Sequence, residues 1–263
     1  MRQVPAIRST CCISLLAILV ALIQSCDTPG SDEHIIDTRV ADTLRIVLPE
    51  SRAPQRRDVA PQVDSAVQEL AAFARAHGWD SLVTEPFMDS VMIFDRKKDF
   101  DHQLLMLAGA DTTMELPSTY CGALEARTLV VMSPGYYDAV YPDGREPHAW
   151  VKLLVHEMAH RLHVRILNGN EEAMGPIWFY EGFAIHAAGQ LTHAAPTLDS
   201  TGMRAVMDDP ERGSYALYGA VFNHFAQRHT LADLVRWAAN NELERVWGRG
   251  PADQDDGSAQ QGR

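Results

Sequence analysis

The chain has 263 residues, 46% of them hydrophobic and 22% charged, with a net charge of −12. That length and apolar content suffice for one hydrophobic core. The acidic balance excludes the basic surface that nucleic-acid binding requires and suits a soluble extracytoplasmic domain.

The first 25 residues read as an export signal. Arg2 and Arg8 supply its positive start, and Cys11 to Ile23 form a run of 13 residues, apolar apart from Ser14, too short to span a bilayer. Removal of the segment takes two arginines and no acid, so the charge becomes −14. The run ends in Leu22-Ile23-Gln24-Ser25-Cys26, which resembles a bacterial lipobox. That resemblance implies cleavage before Cys26, lipidation of its thiol and a membrane-anchored cell-envelope protein; the alternative is an ordinary secretory signal and a secreted product. Cys11 and Cys12 would leave with the signal, so Cys121 would be the one free thiol and the fold must rest on its core.

Residues 26–61, rich in Asp, Pro, Ser and Arg, read as a tether holding one short strand-like run, Thr43 to Leu48. From Gln62 to His77, apolar residues at Val63, Val67, Leu70, Ala71 and Phe73 have helical spacing, and Gly78 ends the pattern. Ser90 to Phe94 is a strand, followed by a charged turn over Asp95 to Asp101. Gly122-Ala123-Leu124-Glu125-Ala126 leads into a second strand, Thr128 to Met132, and Tyr136 to Gly144 reads as a loop.

Next comes His156-Glu157-Met158-Ala159-His160 within an apolar run that Pro147 is placed to open and Asn168-Gly169 to close. On a helix the two histidines stand one turn apart on one face and can share a metal ion. Glu157 lies about 100° around the helix, where it can meet an attacking water without being a ligand. Two imidazoles suit zinc, and a catalytic zinc needs a third protein ligand. Glu181, in Trp178-Phe179-Tyr180-Glu181-Gly182-Phe183-Ala184, lies 21 residues beyond His160, enough for a helix to end and a second one, starting near Pro176, to fold back. A carboxylate amid Trp, Phe and Ala is costly to bury unless it is paired or bound to metal. Residues 192–213 read as a loop-rich rim, a helix starts near Tyr215, a last one runs from Leu231 to Trp237, and 249–263 form a tail without core residues.

H-E-x-x-H followed by W-x-x-E-G-x-A resembles the gluzincin metallopeptidases, the clan of thermolysin and the M1 aminopeptidases. The chain is most similar to their small single-domain, peptidase MA-like relatives, over roughly residues 88–240. The resemblance implies an α+β zincin-like domain over 62–248: a small mixed sheet, an edge strand over the H-E-x-x-H helix, and a mostly helical C-terminal part. In that clan the strand before the helix, here Thr128 to Met132, edges the cleft and pairs with extended substrate.

The implied activity is zinc-dependent hydrolysis of a peptide or protein substrate, endo- or exo-acting. His156, His160 and Glu181 hold Zn2+, and Glu157 is the general base. Tyr215 is expected to donate to the oxyanion, with Tyr218 as rival because Gly219 stands four rather than three residues after Tyr215. Glu125 either holds a substrate amine or merely leads into a strand. His163, His148, His186 and His224 are expected to serve packing, and Asp208 or Asp209 to back the ligand imidazoles. The other reading is a catalytically silent, zinc-containing scaffold lipoprotein.

Overall fold

The computed structural model describes the backbone of residues 35–40, and residues 44–49, 55–84, 87–141, 146–193 and 195–243 in full. The signal, Cys26 and the 249–263 tail lie outside the described residues. Among the described residues no helix is long and apolar enough to cross a membrane.

The protein is a mixed α+β fold. Five strands form one sheet in the order β1 (Ile35–Val40), β2 (Leu44–Pro49), β3 (Ser90–Phe94), β5 (Thr128–Met132), β4 (Gly122–Glu125). β2, β3 and β5 are parallel, while β1 and β4 pair antiparallel with their neighbours. The central strands carry the apolar content: Ile46, Val91 and Leu129 to Met132 are wholly inaccessible. The described strands β1 and β2 lie inside the stretch read as a tether. The β2 run was visible, but no composition cue marks Ile35–Val40, because an edge strand needs only one partner.

Nine helices are described: α1 (Arg56–Ala76), α2 (Ser81–Thr84), α3 (Lys97–Leu107), α4 (Pro134–Val140), α5 (Ala149–Ile166), α6 (Ile177–Ala188), α7 (Ser200–Asp208), α8 (Tyr215–Ala226) and α9 (Leu231–Ala239). α1 starts six residues before Gln62 and carries Pro61 internally. Burial of Val59 on the same face as Val63, Ala66 and Leu70 outweighs the hydrogen bond that Pro61 cannot make. α4 takes up the first part of the expected loop, whose residues 142–144 lie outside the described residues: Ser133 precedes a proline at the first helical position, where the missing N–H costs nothing. The charged turn shrinks because α3 already begins at Lys97, with Phe100 fully buried beneath it.

The sheet and the helices meet at α5. It packs against β4 and β5, and also against α1, α4 and α6, while α8 lies along α6. The α6–α8 contact depends on Gly182, where a Cβ would stand 2.6 Å from Phe222 Cβ. Among the described residues the edge of the sheet nearest α5 is β4, not β5 as the resemblance implies. Glu125 and Thr128 are joined by the two-residue turn Ala126–Arg127, so the G-A-L-E segment folds back as the outermost strand.

Candidate metal centre

α5 holds His156 and His160, and α6 returns antiparallel to it with Glu181. The return is fixed at both ends. α5 closes through Gly169, at a φ of +85°, whose N–H donates to the Val164 carbonyl at 2.9 Å. α6 opens after Pro176. This brings three ligand atoms together: His156 Nε2 lies 3.1 Å from His160 Nε2, and Glu181 Oε2 lies 3.2 and 3.6 Å from those two nitrogens.

A tetrahedral ion with ligands at 2.0–2.1 Å spaces them roughly 3.3–3.4 Å apart, which is the size of this triangle. Glu181 Oε2 is buried and makes no hydrogen bond, although two ring nitrogens face it. A cation between the three atoms would give Oε2 the partner it lacks. His156, His160 and Glu181 therefore form a buried cluster that could hold a metal ion. Burial pushes the Glu181 carboxyl up, but the facing imidazoles pull it further down, below the ordinary carboxylate range. It is an ionised group at 1% exposure.

The neighbouring side chains fix the ligands. His156 Nδ1 lies 2.8 Å from Gln190 Oε1; the amide oxygen accepts, so the proton sits on Nδ1 and the Nε2 lone pair faces the cluster. Gln190 is itself held on both sides: Lys152 Nζ donates to the Gly189 carbonyl at 2.7 Å, and Leu191 N–H donates to Glu146 at 3.1 Å. Lys152 and Glu146 pair at 2.5 Å. Asp208 and Asp209 do not back the imidazoles. Asp208 pairs with Arg204, and Asp209 accepts from the Glu211 N–H, both at 2.9 Å in exposed positions. Gln190 was foreseeable only as the residue just past Gly189, which caps α6 in the left-handed conformation at φ 58°.

Glu157, next to His156 on α5, reaches toward β4. Its side chain fills the space that Gly122 leaves open: a Cβ there would lie 2.9 Å from Glu157 Cγ and 3.0 Å from Oε1. Burial pushes its carboxyl up to about 7, with His156 and Arg212 opposing and the Glu181 charge adding to the rise.

Tyr215 and Tyr218 differ sharply. Tyr215 lies beside His156, ring centroids 5.9 Å apart, and its hydroxyl accepts from Arg212 Nη1 at 3.0 Å. Burial, with the Glu181 charge, raises the phenol well above its ordinary value. Tyr218 is buried away from the ligands; its hydroxyl accepts from the Gly213 N–H and donates to the Glu211 carbonyl at 3.2 Å. Arg212, which sequence reasoning missed, also donates through Nη2 to Glu181 Oε1.

His156, Glu157, His160, Glu181, Tyr215 and Glu125 all line one cleft of about 470 Å³. Glu125 sits at its β4 end, half-buried; burial raises its carboxyl, the Ala126 N–H lowers it, and Glu171 across the cleft adds to the rise. His163 is fully buried against Phe183 and Phe179, outside the ligand cluster, and burial lowers its pKa to about 3. His186 Nδ1 donates to Asn223 Oδ1 at 2.7 Å, and His148 is the residue before α5. Comparison with protein-family models, with curated proteins and with solved structures finds no match to this chain.

Proposed function

We propose that the protein is a zinc-dependent peptidase of the gluzincin type, with a zincin-like catalytic domain. The observation that carries this reading is the ligand triangle of His156, His160 and Glu181, with Glu157 one residue from the first ligand on the cleft side. Two imidazoles and one carboxylate on rigid helices suit zinc. When bound, zinc supplies a Lewis acid for a carbonyl oxygen and lowers the pKa of a water toward about 7.

The chain's own residues do the rest. Glu157 accepts the proton of the attacking water and returns it to the departing amine; with its carboxyl raised to about 7 it can do both near neutrality. Tyr215, kept protonated by burial, donates to the oxyanion that forms as the carbonyl is attacked. Strand β4 orients substrate. Met132 N–H donates to the Cys121 carbonyl at 2.8 Å, so by antiparallel alternation Ala123 and Glu125 also bond to β5. Gly122 and Leu124 turn their backbone groups outward along the edge, where an extended peptide can add as a further strand. Glu125, at the end of that strand, is placed to meet a positively charged group of the substrate. The same reading takes Cys26 as the lipid anchor of an extracytoplasmic protein.

A peptide library digested by zinc-loaded protein, with the new termini mapped by mass spectrometry, tests the proposal. Ladders from the N-terminus denote an aminopeptidase, and internal cuts an endopeptidase. Glu157→Gln is expected to abolish cleavage while retaining zinc. Unchanged cleavage in Glu157→Gln would refute the mechanism, and zinc-loaded wild type that cleaves nothing would leave a silent metal-binding protein.

A further inference from the structure

Arg212 stands in the segment between α7 and α8, outside every motif in the sequence. One of its guanidinium nitrogens donates to Glu181 Oε1, and the other donates to the Tyr215 hydroxyl at 3.0 Å. We infer that Arg212 is the positioning residue of the metal centre: it leaves Glu181 one oxygen for the metal and turns the Tyr215 proton into the cleft. The inference rests on the metallopeptidase reading for the role of Tyr215, and on geometry alone for Glu181.

The geometry of both arms is specific. A carboxylate free at both oxygens can turn either or both to a metal. With Oε1 held, only Oε2 faces His156 and His160. A phenol oxygen that accepts from Arg212 has its own proton left to donate. Only a planar fork with separated donors reaches both groups at once; a lysine ammonium reaches one.

Arg212 is itself anchored. The Tyr218 hydroxyl accepts from the Gly213 N–H and donates to the Glu211 carbonyl, so one hydroxyl clamps the residues on either side of Arg212. Asp209 accepts from the Glu211 N–H at 2.9 Å, and a Cβ on Gly213 would come within 3.3 Å of the Tyr218 hydroxyl. A loop held this tightly around one arginine aims it. Before metal binds, the guanidinium also neutralises a carboxylate that is 1% exposed.

The test compares full-length wild type with Arg212→Met and Arg212→Lys, metal-free, zinc-loaded and cobalt(II)-substituted. Without metal, Arg212→Met leaves a buried carboxylate facing only the two imidazoles, and Tm falls by about 6–10 °C. With zinc the ion takes over the charge, and most of that deficit disappears. In the cobalt protein, Glu181 gains a second metal contact, so the visible absorption weakens and shifts. Arg212→Lys keeps the partner of Glu181 but not that of Tyr215. It is expected to match wild type in Tm and spectrum while kcat falls about 10²-fold at nearly constant KM. A Tm deficit in Arg212→Met that is equal with and without zinc, together with an unaltered cobalt spectrum, would make Arg212 a loop staple and overturn the inference. If Arg212→Met does not fold, Tyr218→Phe carries the comparison, because it frees the loop and leaves every charge in place. An unchanged spectrum and unchanged kcat there also overturn it. Wild type that cleaves no peptide would sink the peptidase reading instead, with the melting and cobalt results still deciding the Glu181 arm.

Discussion

The close approach of Gly122 to Glu157 gives a sharp prediction. Gly122 lies in β4, with no positive φ, so alanine is conformationally allowed and is a better strand residue than glycine. All the cost of Gly122→Ala therefore falls on Glu157. Its Cγ, Oε1 and Cδ would lie 2.9, 3.0 and 3.1 Å from the new methyl, where ordinary contact begins near 3.4 Å. Relief requires a shift of about 0.5–1 Å, and the flexible carboxylate yields before the paired strand does. Misplacing a general base by about 1 Å costs on the order of 10²-fold in rate. If Glu157 is the general base we propose, Gly122→Ala loses about two orders of magnitude in kcat, binds zinc as wild type does, and melts near the wild-type temperature. Peptide hydrolysis, zinc content and thermal melting on one preparation check all three. Near-wild-type activity would refute the placement of Glu157 beneath β4, and loss of zinc would refute its separation from the ligands.

Two other perturbations reach different parts of the centre. Gln190→Ala removes the acceptor that sets the His156 tautomer, and zinc affinity is expected to fall roughly 10–100-fold in competition with a chromophoric chelator; an unchanged affinity would show that the tautomer is set elsewhere. His163 titrates near 6.5 when unfolded and about 3 when folded. Between those values the unfolded chain binds the extra proton, so stability is intact above pH 6.5 and falls on acidification by up to about 1.4 kcal/mol per pH unit. Urea unfolding of metal-free wild type and His163→Leu at pH 7 and pH 5 should show a steeper loss for wild type, and equal slopes would contradict the burial of a neutral ring.

What was legible in the sequence was what two periodicities and two stop signals encode. The α5 and α6 spans follow from an apolar run bounded by Pro147, Asn168-Gly169 and Pro176, and the pairing of His156 and His160 from helical spacing. Glu181 could be named because an acid among aromatic residues needs a cation. The edge position of β4 was missed because Ala126-Arg127 has no glycine or asparagine to announce a turn, even though Ala126 takes φ 51°. Arg212 and Gln190 were missed for a common reason: each acts from just outside a helix, where no period constrains it. Their partners, Glu181 and His156, are 31 and 34 residues away in the chain. Tyr215 and Tyr218 are likewise told apart only in three dimensions: the Glu211–Gly213 backbone occupies the Tyr218 hydroxyl, while Tyr215 lines the cleft.

The open border of the sheet at β4 carries a risk of its own. Backbone groups left facing outward are a template for any extended chain, including another copy of this one, and such borders seed aggregation. Three features described above limit the hazard. β4 is only four residues long, so a sister strand would gain few hydrogen bonds. Its far end is closed by the Ala126–Arg127 turn, whose Ala126 carbonyl is taken by Arg161 and whose Arg127 pairs with Asp89. And β4 lies against α5, in the wall of a concave cleft. A slender, unfolded segment can reach that border, whereas the folded rim of a second molecule is held off by shape. The concavity that would admit an extended substrate under the proposed function thus also works against pairing between two folded copies.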